Sequence, residues 1–212
     1  MLHAVIAVLS GGPVGIGDRS DNINQTIINM TCRSDGLILR PESPSTMNEN
    51  DFMLEMSNQR RFVSKQSITY LKGDRLIYEY GLVVNMSHSV NLNDAIWDIR
   101  AKAFKPESLK MTADFQTDKE WIYYLRVPTI SAWNFIGETN KIAPISNIRN
   151  FHIIQVNNNK MLITLNGVPQ EMVELTAIYL ETTVLAQTIK IDRFGNGKIT
   201  FRNQKTVFKT SS

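Results

Sequence analysis

The side chains in this sequence best suited to chemistry are carboxylates near its start, namely Asp18, Asp21 and Asp35. Two carboxylates facing each other across a scissile bond are the usual requirement for glycoside hydrolysis. Asp18 ends the run Gly11-Gly12-Pro13-Val14-Gly15-Ile16-Gly17, and glycines at that density let a strand pass close to other backbone or to a ligand. Asp21 reads as a helix cap, with Ser20 as the other candidate, and Asp35 reads as a turn residue ahead of Gly36. Asp18 differs from both. A carboxylate closing a glycine-rich strand ahead of a helix lies where barrel active sites are built, so a ligand-facing role stands level with a structural one.

Other reactive patterns are absent. The sequence has no Gly-x-Ser-x-Gly elbow, no His-Glu-x-x-His and no Gly-x-x-x-x-Gly-Lys phosphate cradle. The glycine run lacks the spacing and the acidic follow-on of a dinucleotide site, so no cofactor is expected. His3, His88 and His152 are isolated, and the one cysteine, Cys32, has no Cys or His at ligand spacing, so no metal is expected either. Cys32 reads as a small buried apolar residue, or as the partner of a cysteine on another stretch of chain. Glu79, Asp98, Glu120, Glu171 and Asp192 fall on alternating polar faces or in turns and read as solvated. Trp97, Tyr123, Tyr124 and Trp133 could stack on sugar rings, but at strand spacing they read as core.

Composition narrows the class. Apolar content of 42% and charged content of 20% over 212 residues suit a globular chain with a sizeable core, as one large domain or one domain plus part of another. The formal charge is +3, and Arg60-Arg61 is the only adjacent basic pair. Nucleic-acid binding, which needs clustered cations and interleaved aromatics, is not expected. No apolar run approaches the roughly 20 residues of a membrane-spanning helix. Met1 to Leu9 resembles a short signal core, yet it lacks a basic leader, and Pro13 follows closely on the only small-residue site. Asn24-Gln25-Thr26, Asn29-Met30-Thr31 and Asn85-Met86-Ser87 are N-glycosylation acceptors. Three acceptors in this length point to secretion, with the signal expected upstream of Met1.

The elements that would position these residues change character near residue 50. His3 to Leu9 reads as a helix end feeding the glycine-rich strand, and Ile23, Ile27 and Met30 mark one face of a following helix stopped by Gly36. Residues 42–51 form a proline-rich polar linker. From residue 52 to 212 short strand-like runs succeed one another. Hairpins are expected at 67–71/76–80, 151–156/161–165 and 188–192/198–201, with single strands at 95–104, 121–127 and 173–180, and residues 82–85 either extend the first sheet or begin another strand. The pattern predicts an antiparallel β-sandwich.

The segment Leu9-Ser10-Gly11-Gly12-Pro13-Val14-Gly15-Ile16-Gly17-Asp18, followed by a helix and then Arg33-Ser34-Asp35-Gly36-Leu37-Ile38-Leu39-Arg40-Pro41, resembles the last repeat of glycoside hydrolase barrels of the α-galactosidase and raffinose-synthase type. The likeness is sharp over residues 9–41 and diffuse beyond 52. It implies a mainly β chain, in which a C-terminal antiparallel β-sandwich (52–212) is preceded by the last βα unit of a (β/α)8 barrel (1–41). It also implies a retaining α-glycosidase scaffold with Asp18, Gly15 and Gly17 near the substrate. The catalytic carboxylates would lie upstream of this chain, so none is expected within it. The expected partners are the upstream polypeptide, or another chain, completing the barrel, and carbohydrate. Two alternatives are a non-catalytic extracellular structural or adhesive protein that keeps the scaffold, and a free-standing carbohydrate-binding β-sandwich. The first reading requires that the opening forty residues carry apolar sides meant for neighbours outside the chain.

Overall fold

The computed structural model describes residues 1–12, 21–47, 60–70, 75–84, 89–92, 95–105, 109–112 and 121–203. Residues 2–10 are too apolar to stay in water, and they form a helix, α1 (Leu2–Ser10), closed by Gly11 in the left-handed conformation at φ 69°. Val5, Val8 and Leu9 form its buried stripe at the i, i+3, i+4 spacing of one helical face. A second short helix, α2 (Gln25–Thr31), starts at Asn24, whose Oδ1 accepts a hydrogen bond from the Ile27 amide at 3.1 Å. The cap is therefore Asn24 and not Ser20 or Asp21, because the chain runs as turn and coil through Asp21 before turning helical.

Strands then follow in quick succession. β1 (Thr46–Met47) lies within the linker stretch, β2 (Arg60–Tyr70) and β3 (Arg75–Val84) pair antiparallel, and β4 (Ser89–Leu92) pairs with a later strand. β5 (Ile96–Asp98) and β6 (Ala103–Lys105) make a tight hairpin where one strand over 95–104 was expected, since Lys102 turns the chain at φ 50°. β7 (Leu109–Thr112) is the partner of β4. β8 (Trp121–Arg126), β9 (Thr129–Ile130) and β10 (Trp133–Gly137) precede a long buried loop. After it come β11 (His152–Val156), β12 (Lys160–Asn166), β13 (Met172–Tyr179), β14 (Thr183–Lys190) and β15 (Asn196–Arg202).

Among the described residues the larger sheet has the order β15-β12-β11-β2-β3-β8-β5-β6, with β1 also on β2, and a smaller one has the order β14-β13-β10-β9. The pairings are antiparallel except for β2 with β11, which run parallel through His152↔Thr69 and Ile153↔Tyr70. The chain is thus mainly β with antiparallel sheets. Both sheets and α1 contribute to one hydrophobic cluster, which includes Val5 and Leu9, Tyr80 and Tyr123, Trp133 and Phe135, and Ile163 and Phe201.

Three further expectations need correcting. No barrel portion is evident among the described residues, and residues 13–20, where its strand was expected, lie outside them. The inner stripe of α1 is covered by the chain's own sheets, so that side needs no outside neighbour. Ile6 and Leu37, each 46% exposed, remain bare on the helical segment. The run 188–201 also differs. Its two halves do not pair, because β14 joins β13 over the full register Met172↔Lys190 to Tyr179↔Thr183, whereas β15 joins β12 over Lys160↔Arg202 to Asn166↔Asn196. A tight turn sends the chain from one sheet to the other there. Asp192 Oδ1 accepts the amides of Phe194 and Asn196, both at 2.8 Å, and Gly195 takes φ 83°. The turn chemistry is that of a hairpin, but burial of Ile199 and Phe201 against β12 decides the partner.

Candidate functional site

The residues expected to face a ligand, Gly15, Gly17 and Asp18, lie outside the described residues, as do the acceptor Asn85 and Glu120. Asn24 and Asn29 are both exposed on the short helix α2. The Oδ1 atom of Asn24 caps the helix and that of Asn29 accepts from Gln25 Nε2 at 3.1 Å. Trp97, Tyr123, Tyr124 and Trp133 are buried, so their core reading holds and none offers a ring to sugar. Asp35 sits in a turn, where Arg33 Nε and Nη2 donate to its two oxygens at 3.0 and 2.6 Å. That Arg33 hydrogen bond, helped by the Leu37 amide, holds the Asp35 carboxyl down to about 2.

The densest polar arrangement among the described residues is one that sequence reasoning missed. Between β10 and β11 the chain makes a buried loop, Glu138 to Arg149, in which Ile142, Ala143, Ile145 and Ser146 are all shielded. Loops seldom bury because their backbone groups need partners. Here tyrosines supply some of them. Tyr80 Oη donates to the Ile145 carbonyl at 2.6 Å and accepts from the Ile145 amide at 2.8 Å, and Tyr123 Oη donates to the Ile142 carbonyl at 2.8 Å. Gly137 starts the loop at φ 85°, and any Cβ there would collide with the Pro144 carbonyl oxygen.

At the end of this loop the Arg149 side chain is fully buried between Glu138 (2% exposed) and Glu171 (7% exposed). Arg149 Nε and Nη2 donate to the two Glu138 oxygens at 2.6 and 3.0 Å. Its Nη1 and Nη2 donate to the two Glu171 oxygens at 2.7 and 3.0 Å, and Nη1 also reaches the Asn166 carbonyl at 3.5 Å. All five guanidinium donors are thereby used. Glu171 also accepts the Val168 amide at 3.0 Å and the Ser34 amide at 3.3 Å. Burial lifts the Glu138 carboxyl above its ordinary range, against the pull of Arg149. Burial acts on Glu171 too, but the Arg149 hydrogen bonds and the Val168 amide outweigh it and hold that carboxyl below its ordinary range. Glu171 is therefore not the solvated residue expected. A carboxylate reads as exposed until a distant buried arginine claims it, and neither Arg149 nor Glu138 has a local signal to announce the pairing.

The same loop ties down α2. The Lys141 ammonium donates to the carbonyls of Asn29 and Cys32, both at 2.7 Å, and the Ile142 amide to Met30 at 2.8 Å, while Leu39, in the segment that follows α2, donates its amide to Thr31 at 2.9 Å. These four carbonyls at the end of α2 would otherwise be orphans, and Lys141 also meets the negative end of the helix dipole. This is why α2 stops at Thr31 without Gly36. Gly36 instead shapes the turn that brings Ile38 back beside Cys32. Cys32 is half-buried with its thiol donating to the Ile28 carbonyl at 3.3 Å and is in no disulfide. The arrangement is a structural clamp. Its two carboxylates face one guanidinium and not an open space, so they are not an acid/base pair for hydrolysis.

No protein-family model, no curated protein and no solved structure matches this chain. No helix among the described residues is long and apolar enough to cross a membrane.

Proposed function

We propose that this chain is the C-terminal portion of a secreted glycoside hydrolase-like protein that acts on or binds α-linked sugars, its sheets forming the trailing β-sandwich. Asp18, with Gly15 and Gly17, is the substrate-facing part, and the acid/base carboxylates belong to polypeptide upstream. The observation that carries the reading is the exposure of large apolar side chains along the helical segment. Lys141 holds the carbonyls of Asn29 and Cys32, and Glu171 accepts the Ser34 amide, while Ile6, Ile23 and Leu37 remain exposed. A helix as apolar as α1 is ordinarily covered on more than one side, and further barrel repeats would cover it. The order of helix, Asp35–Gly36 turn, Pro41 and entry into strands supports the same resemblance. Exposure of Asn24 and Asn29 suits glycosylation in a secretory compartment.

The test is the complete coding sequence and its product. The reading expects several βα repeats upstream with an apposed pair of Asp or Glu residues, and hydrolysis of a chromogenic α-galactoside by the whole protein. A transcript that starts at Met1 overturns it. An intact upstream barrel lacking one of the paired carboxylates, with no hydrolysis, favours the scaffold protein that has lost its chemistry. The locked state of Glu138 and Glu171 fits either outcome, since they offer no acid/base pair of their own.

A further inference from the structure

Strand alternation sorts the residues of β12 and β15 cleanly. Met161, Ile163 and Leu165, with Gly197, Ile199 and Phe201, are buried. The outward residues are therefore Lys160, Leu162, Thr164 and Asn166 on β12 and Asn196, Lys198, Thr200 and Arg202 on β15. The register sets Lys160 directly opposite Arg202, and Lys198 opposite Thr164. Lys198 lies four residues along the strand from Arg202, about 13 Å at strand rise. None of these eight outward positions is acidic, nor is any residue of the adjoining strand β11. Among the described residues none of Lys160, Lys198 and Arg202 is in an ion pair.

Like charges placed directly across a ladder are destabilising, and Lys160 faces Arg202 with no carboxylate on β11, β12 or the outward positions of β15. From this we infer that the outer face of β12 and β15 binds a sulfated polysaccharide. An extended polyanion neutralises all three cations at once and releases its counterions on doing so. The exposed amides of Asn166 and Asn196, at the far end of the face, add hydrogen-bond donors for sulfate and hydroxyl oxygens. The same face has no aromatic side chain among its outward residues, which removes the stacking platform that single-stranded nucleic acid uses. The site follows from register and charge alone. Only the choice of a sulfated glycan over other polyanions rests on the secreted reading above.

The purified chain is tested for binding to heparin across a salt series. The expected result is retention at low salt, with affinity falling as salt rises. The double variant Lys198→Gln/Arg202→Gln, folded by circular dichroism, should bind at least about tenfold more weakly, with a salt slope shallower by about 2. Lys190→Gln, exposed on β14 in the other sheet, should change binding less than about twofold, and desulfated heparin should not bind. The site is overturned if the wild-type chain is not retained at low salt, if the double variant binds as well as wild type, or if a homopolymeric RNA competes as strongly as heparin. A glycosidase-sensitive mass shift at Asn24 or Asn29 in expressing cells tests secretion separately, so failure of one reading is not mistaken for failure of the other.

Discussion

Arg149 and Arg202 are the same side chain in opposite settings. Arg149 has given up all contact with water, and each of its donors meets a carboxylate or a carbonyl. Arg202 lies on an open sheet face opposite Lys160, with no acidic residue on either strand's outer side. Buried charge survives only when its partners are complete, so the first site is closed to any ligand and its energy goes into holding the loop, α2 and the sheets together. The second retains its charge unspent. Where a folded chain has used its charges completely it is holding itself, and where it has left them uncancelled it can hold something else.

Several substitutions break this contrast, in decreasing order of effect. Arg149→Met strands Glu138 and Glu171 as buried carboxylates without a counter-ion, and should cost about 3–5 kcal/mol in urea unfolding. A cost under 1 kcal/mol would mean that the clamp holds nothing. Tyr80→Phe leaves the buried amide and carbonyl of Ile145 without their hydroxyl partner, and should cost about 1–3 kcal/mol by the same measurement.

Acid offers a graded version of the same test. Glu171 and Asp35 have folded-state values below their ordinary 4.5 and 3.8. The folded chain therefore binds fewer protons than the unfolded chain in that range. The stability they contribute is complete above those ordinary values and is lost as pH falls, for Asp35 down to about 2. Glu138 has the opposite sign, since its raised value makes stability decline as pH rises from its ordinary 4.5 through the folded value. The urea midpoint of wild type should fall on acidification below pH 4.5, and that of Glu171→Gln should fall less steeply. Equal slopes would contradict the assignment to Glu171. The smallest effect belongs to the open face, where Arg202→Gln should leave stability within about 0.5 kcal/mol of wild type, with any change in the favourable direction. A larger loss would show that Arg202 is structural after all.

Much of the local structure was legible from residue order. The pairing of 67–71 with 76–80 and of 151–156 with 161–165 appears in β2–β3 and β11–β12, because alternation and short turns act between near neighbours. The core role of Trp97, Tyr123, Tyr124 and Trp133 was legible for the same reason. Failures fall where a distant partner decides. The α2 cap moved to Asn24, and the helix ends where Lys141 meets its carbonyls, more than a hundred residues away. Nothing beside Glu171 in the chain distinguishes it from a solvated glutamate.

The kinds of element, their approximate places, and the turns at Gly36 and Gly195 are set by the sequence acting locally, since backbone strain, β-branching and apolar alternation need no tertiary partner. Tertiary structure alone decided that β14 and β15 part company into different sheets, that α1 shares the core of the strands, that Arg149 meets two carboxylates, and that Lys160, Lys198 and Arg202 come onto one face. Each of these outcomes rests on burial and charge summed over residues far apart in the chain, where only the complete packing fixes which side chains become neighbours.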